Sequence, residues 1–525
     1  MSMVSRVIGR SRISRLFVLA TICCAPITVA ETLDLAGTWR VTFDGHAYDV
    51  SLPGSLQEDR LGYPVTTETS WTGSIFDRSY FTAPEYAPYR EPGNIKIPFW
   101  LQPETHYTGE AVYERSIEIP PSWAGRRIVL TLERQHWKTT VWLDEREIGS
   151  NDSVSVAHVF DFGSDVTPGR HVLRIRVDNR HDPDIGENSH SISDHTQGNW
   201  NGIVGEIQLH ATAPVWIEDV WIGSDVAQGA IDVRGMLGHS EGARLPSNVS
   251  LVAGAARAEA PVAADGTFSH RLSLGSDAAL WDEFKPQLHT LRVSHANGES
   301  REVRFGLRTI AAKGRQLLIN GRPLFLRSTV DCAAFPRTGH PPMDVASWRE
   351  IFSVIQAHGL NHVRYHSWCP PKAAFDASDE LGIYLQVEVA SWPNWSTTLG
   401  DGKPVEGWTD AETARIVRAY GNHPSFVLLC AGNEPGGDRH SAWLAQWVAR
   451  QRSADPRRLY TAGAGWPEVP ENHFHLRPEP RIQQWWQGLR SRINGRAPET
   501  QTDYGDFIRA RDVPVVSHQI GQWCV

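Results

Sequence analysis

The chain has 525 residues, 41% hydrophobic and 21% charged, a length that suits about two to four packed domains rather than one small core. Its 60 acidic against 51 basic side chains give a net charge of -9, and no Lys/Arg run crosses the body of the chain, which argues against a nucleic-acid surface. The 21 tryptophans stand out; they suit large aromatic cores, and equally the stacking of sugar rings, whose apolar faces lie well on an indole.

In chain order, residues 1–30 come first. Arg6, Arg10, Arg12 and Arg15 precede the short apolar stretch LFVLATICCAPITVA, with the small residues Thr28 and Ala30 before Glu31. That is the pattern of a cleaved export signal, too short and Pro-interrupted for a membrane span, and it predicts a periplasmic or secreted mature protein. Cys23 and Cys24 would leave with it. Cys332, Cys369, Cys430 and Cys524 remain, as free core thiols or with one Cys332–Cys369 disulfide, and they lack the close pairing of a zinc site.

From Leu33 to about Ala213 apolar and polar residues alternate in short runs (GTWRVTF, RRIVLTLE, HVLRIRVDN), separated by Gly, Pro and Asp. The spacing predicts a two-sheet sandwich over 31–213, and a shorter β block over 214–308 suits an immunoglobulin-like sandwich. After Thr309 short apolar strands alternate with helical stretches, from PLFLRSTV to VPVVSHQIG. Seven such units predict a (β/α)8 barrel over 309–525, whose chemistry would sit at the C-terminal strand ends. No Gly-rich dinucleotide or phosphate loop is seen, and neither a cofactor nor a metal is expected.

Read that way, the strand ends are polar and aromatic. They carry Asp331; Arg364, His366 and Trp368; Glu388 and Trp392; Asn433 and Glu434; Trp466; His473 and His475; and His518, Gln519, Gln522 and Trp523. Paired carboxylates, hydrogen-bonding groups and stacking surfaces are what glycoside chemistry needs, so a carbohydrate is the expected substrate. A uronic acid would want a cationic partner, for which Arg364 or Lys403 could serve. The sequence leaves the oligomeric state open.

YGNHPSFVLLCAGNEPGG (420–437) resembles the acid/base motif of glycoside hydrolase family 2, in which Asn-Glu ends barrel strand four. FGLRTI (305–310), leading into INGRPLFLRS, is similar to that family's junction of sandwich and barrel. GLNHVRYHSWCPPKAAFDASDELGIYLQVE is similar to its second and third strands. The resemblance implies an exo-acting β-glycosidase of three domains with Glu434 as general acid/base and Asn433 contacting the sugar. Its nucleophile position, in SHQIGQW, falls on Gln519.

A glutamine amide is neutral and a poor nucleophile. Three readings follow: hydrolysis is lost and a sugar-binding pocket kept; Glu388 or Asp331 substitutes; or Glu434 works with a sugar N-acetyl group or a water. A complete barrel has eight strands, and no eighth strand follows QWCV, so the expectation is a fragment or a truncated barrel.

Overall fold

The computed structural model describes residues 31–74, 78–296, 299–478, 497 and 504–519. The expected leader, Gln522, Trp523 and the expected barrel truncation all lie outside them.

Two antiparallel sheets face each other in the first block. One has six strands, with Lys138–Leu143, Gly169–Asp178, Glu110–Ile119 and Gly37–Phe43 in its middle; the other has four, centred on Arg127–Leu132 and Ile207–Thr212. Every second residue points inward, so Trp39, Val41, Tyr113, Leu130, Ile175 and Leu209 form one apolar core. A three-stranded and a four-stranded sheet follow between Val215 and Phe305, around Val220, Val233, Leu251 and Val293.

The third block is parallel. Its elements are β1 (Ser328–Asp331), α1 (Val345–Ala357), β2 (His362–Tyr365), α2 (Lys372–Leu381), β3 (Tyr384–Glu388), α3 (Pro404–Tyr420), β4 (Phe426–Cys430), α4 (His440–Ala454), β5 (Leu459–Thr461), β6 (His475–Arg477), α5 (Gly505–Arg509) and β7 (Val515–Ser517). β1 to β5 pair side by side in sequence order, and β6 pairs with β7, all parallel. This is the strand order of a barrel, not of an open doubly wound sheet. β2, β3 and β4 are buried at every position, because helices cover one face and the barrel interior the other. The Asp344 carboxylate caps α1 by accepting from Ser347 N at 2.8 Å, and Gly382 ends α2 in the left-handed region.

Among the described residues no helix is long and apolar enough to cross a membrane. Cys332 and Cys369 carry free thiols, so the disulfide allowed for them is not formed.

The sandwich docks on the barrel. Ser153 Oγ and Val154 N donate to the buried Glu412 carboxylate of α3 at 2.9 and 3.2 Å. A long loop between Asp178 and Gly202 leans over the strand ends: Trp392 N donates to Ile185 O at 2.9 Å, and His190 N to Ser367 Oγ at 2.9 Å. Gly186 makes this approach possible, since a Cβ there would lie 2.0 Å from the Trp392 carbonyl oxygen.

Candidate active site

Arg364, on the inner face of β2, is the hub of the strand ends. Its Nε donates to Glu388 Oε1 at 2.5 Å, one terminal nitrogen to Asn433 Oδ1 at 2.8 Å, and the other to the His518 carbonyl at 3.2 Å. β2, β3, β4 and β7 are thereby joined through one planar group. The Arg364 side chain is 3% exposed and that of Glu388 fully buried. Burial works against the guanidinium charge, but the Glu388 carboxylate outweighs it and raises the arginine's pKa. With its donors committed inward, Arg364 is not the free cation that a uronic acid would need. Lys403 is no freer, with its ammonium on Thr398 Oγ1 at 2.5 Å and beside Asp401.

The second Glu388 oxygen accepts Ser367 N at 2.7 Å. Ser367 has φ 50, a left-handed turn that β-branched or bulky residues avoid, and the turn aims its N–H at the carboxylate. Glu388 is thus engaged at both oxygens.

Glu434 is placed differently. It too is left-handed, with φ 35, and its N–H is held by Ala464 O at 2.8 Å. Its side chain keeps 22% of its surface in solvent, and Oε1 lies 3.4 Å from His518 Nε2. Gly465, with φ +98, leaves room for it; a Cβ there would sit 3.2 Å from Glu434 Cγ. Gln519, partly buried, follows His518 directly, so the end of β7 and the end of β4 meet at this mouth. The Asn433 carboxamide spends its oxygen on Arg364, and its Nδ2, buried, has no partner among the described residues. An unspent donor beside Glu434 fits a group that binds a hydroxyl oxygen.

The aromatic residues divide. His366 is buried between His190 of the sandwich, stacked at 4.2 Å, and Trp392 at 5.0 Å. Burial, then electrostatic repulsion from His190, Arg364 and His518, holds its pKa well below the usual value, so the ring is neutral. Trp466 donates from Nε1 to Pro435 O at 2.7 Å and stands half-buried beside the Glu434 loop. Trp368 does not line the mouth: after the Ser367 turn its indole packs on Tyr365 and Phe335, 4% exposed, with Nε1 on Asp331 O at 3.0 Å. His475 starts β6 instead of ending it, with its ring held by Asn472 at 3.2 Å and Glu468 at 4.0 Å. His473 N donates to Tyr460 O at 2.9 Å, well away from the β6 end. Asp331 is half-buried at the rim, and desolvation pushes its carboxyl up to about 6.

Sequence reasoning missed Ser367, Gly465, His190 and Trp100. The polar, aromatic stretch ENSHSISDHTQGNW, which breaks the strand alternation of the first block, was the available signal for His190.

One grouping among the described residues, Asp376, Asp379 and His423, has metal-like spacing. Its donors are committed, Asp376 to Lys372 and Arg304, Asp379 to His423 and Ser425 N, at the opposite end of β4 from Glu434.

Residues 310–470 match the family described as glycosyl hydrolases family 2, TIM barrel domain. Over its barrel block the chain is similar to glycoside hydrolase family 2. The chain is 25% identical over 444 residues to a beta-galactosidase of Arthrobacter sp. (strain B7), a match covering 80% of the chain and 42% of that relative. It is 22% identical over 384 residues to a putative beta-glucuronidase of Formosa agariphila, covering 69% of the chain and 35% of the relative. The chain therefore spans less than half the length of these relatives. Its fold is similar to a GH2 beta-galacturonidase from Eisenbergiella tayi bound to galacturonate, with TM-score 0.64 and 16% identity, covering 83% of this chain and 72% of that one. A Bifidobacterium dentium beta-glucuronidase compares at TM-score 0.64 and 19% identity, covering 82% and 74%.

Proposed function

We propose that this chain is a glycoside hydrolase of family 2, with an exported, exo-acting glycosidase site in which Glu434 is the general acid/base and the neutral Gln519 makes hydrolysis slow. The observation that carries this reading is the contrast at the strand ends. Glu434 keeps a solvent-facing carboxyl against His518, whereas Glu388 is sealed between Arg364 and Ser367 and cannot leave them to attack a sugar. Glu434 would protonate the departing glycosidic oxygen and later take a proton from water. Asn433 Nδ2 would hold a sugar hydroxyl, with Trp392 and Trp466 beside the ring. A charged nucleophile is missing at position 519, so the intermediate that a carboxylate would stabilise covalently has to be captured by water.

A second reading is a sugar receptor without turnover, favoured by the same Gln519. One panel of aryl β-galactosides, β-glucuronides and β-galacturonides separates the two. The protein should turn over at least one substrate slowly, and Glu434→Gln should lower that rate by on the order of 10²–10⁴-fold while sugar binding persists. Equal turnover by the two proteins would remove Glu434 from its role. Export rests on the basic and apolar pattern of residues 1–30, and N-terminal sequencing of the protein from cell fractions checks it.

A further inference from the structure

We propose that Trp100, carried to the barrel mouth by the first sandwich, is a stacking platform for a second sugar ring, next to the one bound at Glu434. The proposal rests on the reading of the mouth as a glycoside site.

Trp100 is 68% exposed, in a protein that buries Trp39, Trp123, Trp137, Trp281, Trp348 and Trp447 almost completely. A single exposed apolar side chain is ordinary. The mounting of this one is not. The Trp100 backbone N–H donates to His195 O at 3.2 Å. The Gln102 carboxamide folds back over the same turn, accepting Ile97 N at 2.8 Å and donating to Ile97 O at 2.5 Å and Phe99 O at 3.2 Å. Phe99 anchors the turn from below, edge-on to Trp71 at 5.3 Å and His195 at 4.8 Å. The backbone under the indole is thus fixed, so little ordering cost remains when a ligand lies on it.

The ring also points a way into the site. Trp100 meets His190 edge-on at 6.0 Å, His190 stacks on His366 at 4.2 Å, and His366 touches Trp392 at 5.0 Å. His190 is anchored to Ser367, the residue whose N–H holds Glu388. A continuous chain of ring contacts therefore runs from the sandwich to the strand ends, with His190 and His366 buried and the Trp100 indole exposed at its outer end. Its imidazoles are uncharged at neutral pH: burial, with His195 and Arg364 adding, holds His190 down at about 3. The exposed Trp100 indole takes the C–H face of a pyranose, and its place at the outer end of this chain assigns it to the ring linked to the one being processed.

Calorimetry in a Glu434→Gln background, which removes turnover, tests this. The single-ring probes are methyl β-D-galactoside and methyl β-D-glucuronide; the two-ring probes are lactose and cellobiouronic acid. Trp100→Ala should weaken the two-ring sugar by roughly tenfold and leave the single-ring sugar within about twofold, and Trp100→Phe should recover much of the loss. Thermal melts confirm that both variants fold. Unchanged two-ring affinity in Trp100→Ala would overturn the platform, as would an equal loss for one and two rings. A parent protein that binds none of the four sugars would instead overturn the glycoside reading, and the platform with it.

Discussion

Two buried arginine–carboxylate networks sit at opposite ends of the same barrel. At the N-terminal strand ends, Asp455 accepts from Arg457 at 2.7 and 2.8 Å and from Arg458 at 2.6 Å, and Arg308 fastens to the Pro424 and Phe426 carbonyls, each at 3.0 Å. At the C-terminal ends, Arg364 binds Glu388, Asn433 and the His518 carbonyl. Both use planar guanidinium groups to tie several chain segments together through one group. The lower network spends its groups on helix ends and backbone carbonyls. The upper one spends its groups on the Glu388 and Asn433 side chains and the His518 carbonyl, next to Glu434. The same chemistry therefore ties helix ends at one end and, on the proposed reading, positions the residues around Glu434 at the other, as barrel architecture generally divides its two faces.

The largest stability effect should come from breaking the lower network. Asp455→Ala leaves Arg457 and Arg458 buried without their carboxylate and should cost about 3–5 kcal/mol, read by denaturant titration. Sugar affinity of the molecules that remain folded should not change. Glu388→Gln should cost less, about 1.5–3 kcal/mol, because the amide still accepts one hydrogen bond from Arg364. It should weaken sugar binding at least about tenfold, because Asn433 shares that guanidinium. If the two variants had the same effect on binding, the division between the ends would collapse.

The ends should also differ in the sign of their pH dependence. Burial opposes ionisation of Asp455, but the Arg458 charge and the Arg457 hydrogen bonds outweigh it and hold the carboxyl well below the usual range. Its folded value is below the unfolded one, so its stabilisation is full above about pH 4 and is lost as pH falls below that. Asp331 is the reverse. With a folded value near 6, the folded state holds the proton more tightly, so stability declines as pH rises from about 4 to about 6 and stays lower above that. Asp331→Asn should remove that decline and gain about 1 kcal/mol at pH 7, a figure reduced for partial exposure. Calorimetric melts between about pH 2 and pH 7 read both effects, and a gain that grows toward acid would reverse the Asp331 assignment.

The change of rhythm at Thr309 made the parallel block legible, because strands buried on both faces read as short apolar runs between amphipathic helices. Arg364, Glu388, Asn433 and Glu434 were found by asking which residues end those runs. Trp368 failed that rule. It lies beyond β2, but the left-handed Ser367 reverses the chain and sends the indole into the core, and a dihedral of that kind leaves no periodicity to read. His475 failed because β6 begins there, so the rule was applied to the wrong end of a three-residue strand. Trp100 and His190 come from a block read as all-β, and nothing local to a sandwich sequence says that two of its loops reach another fold's mouth.

The central claim is that the mouth keeps its acid and lacks only a charge at position 519. Gln519→Glu is nearly isosteric and tests it directly, with turnover of the aryl-glycoside panel measured beside sugar affinity. Turnover should rise on the order of 10³-fold on the substrate that the parent protein turns over, with affinity within a few-fold. Unchanged or lower turnover with affinity retained would contradict it, and would mean that the amide belongs to the working chemistry of the site.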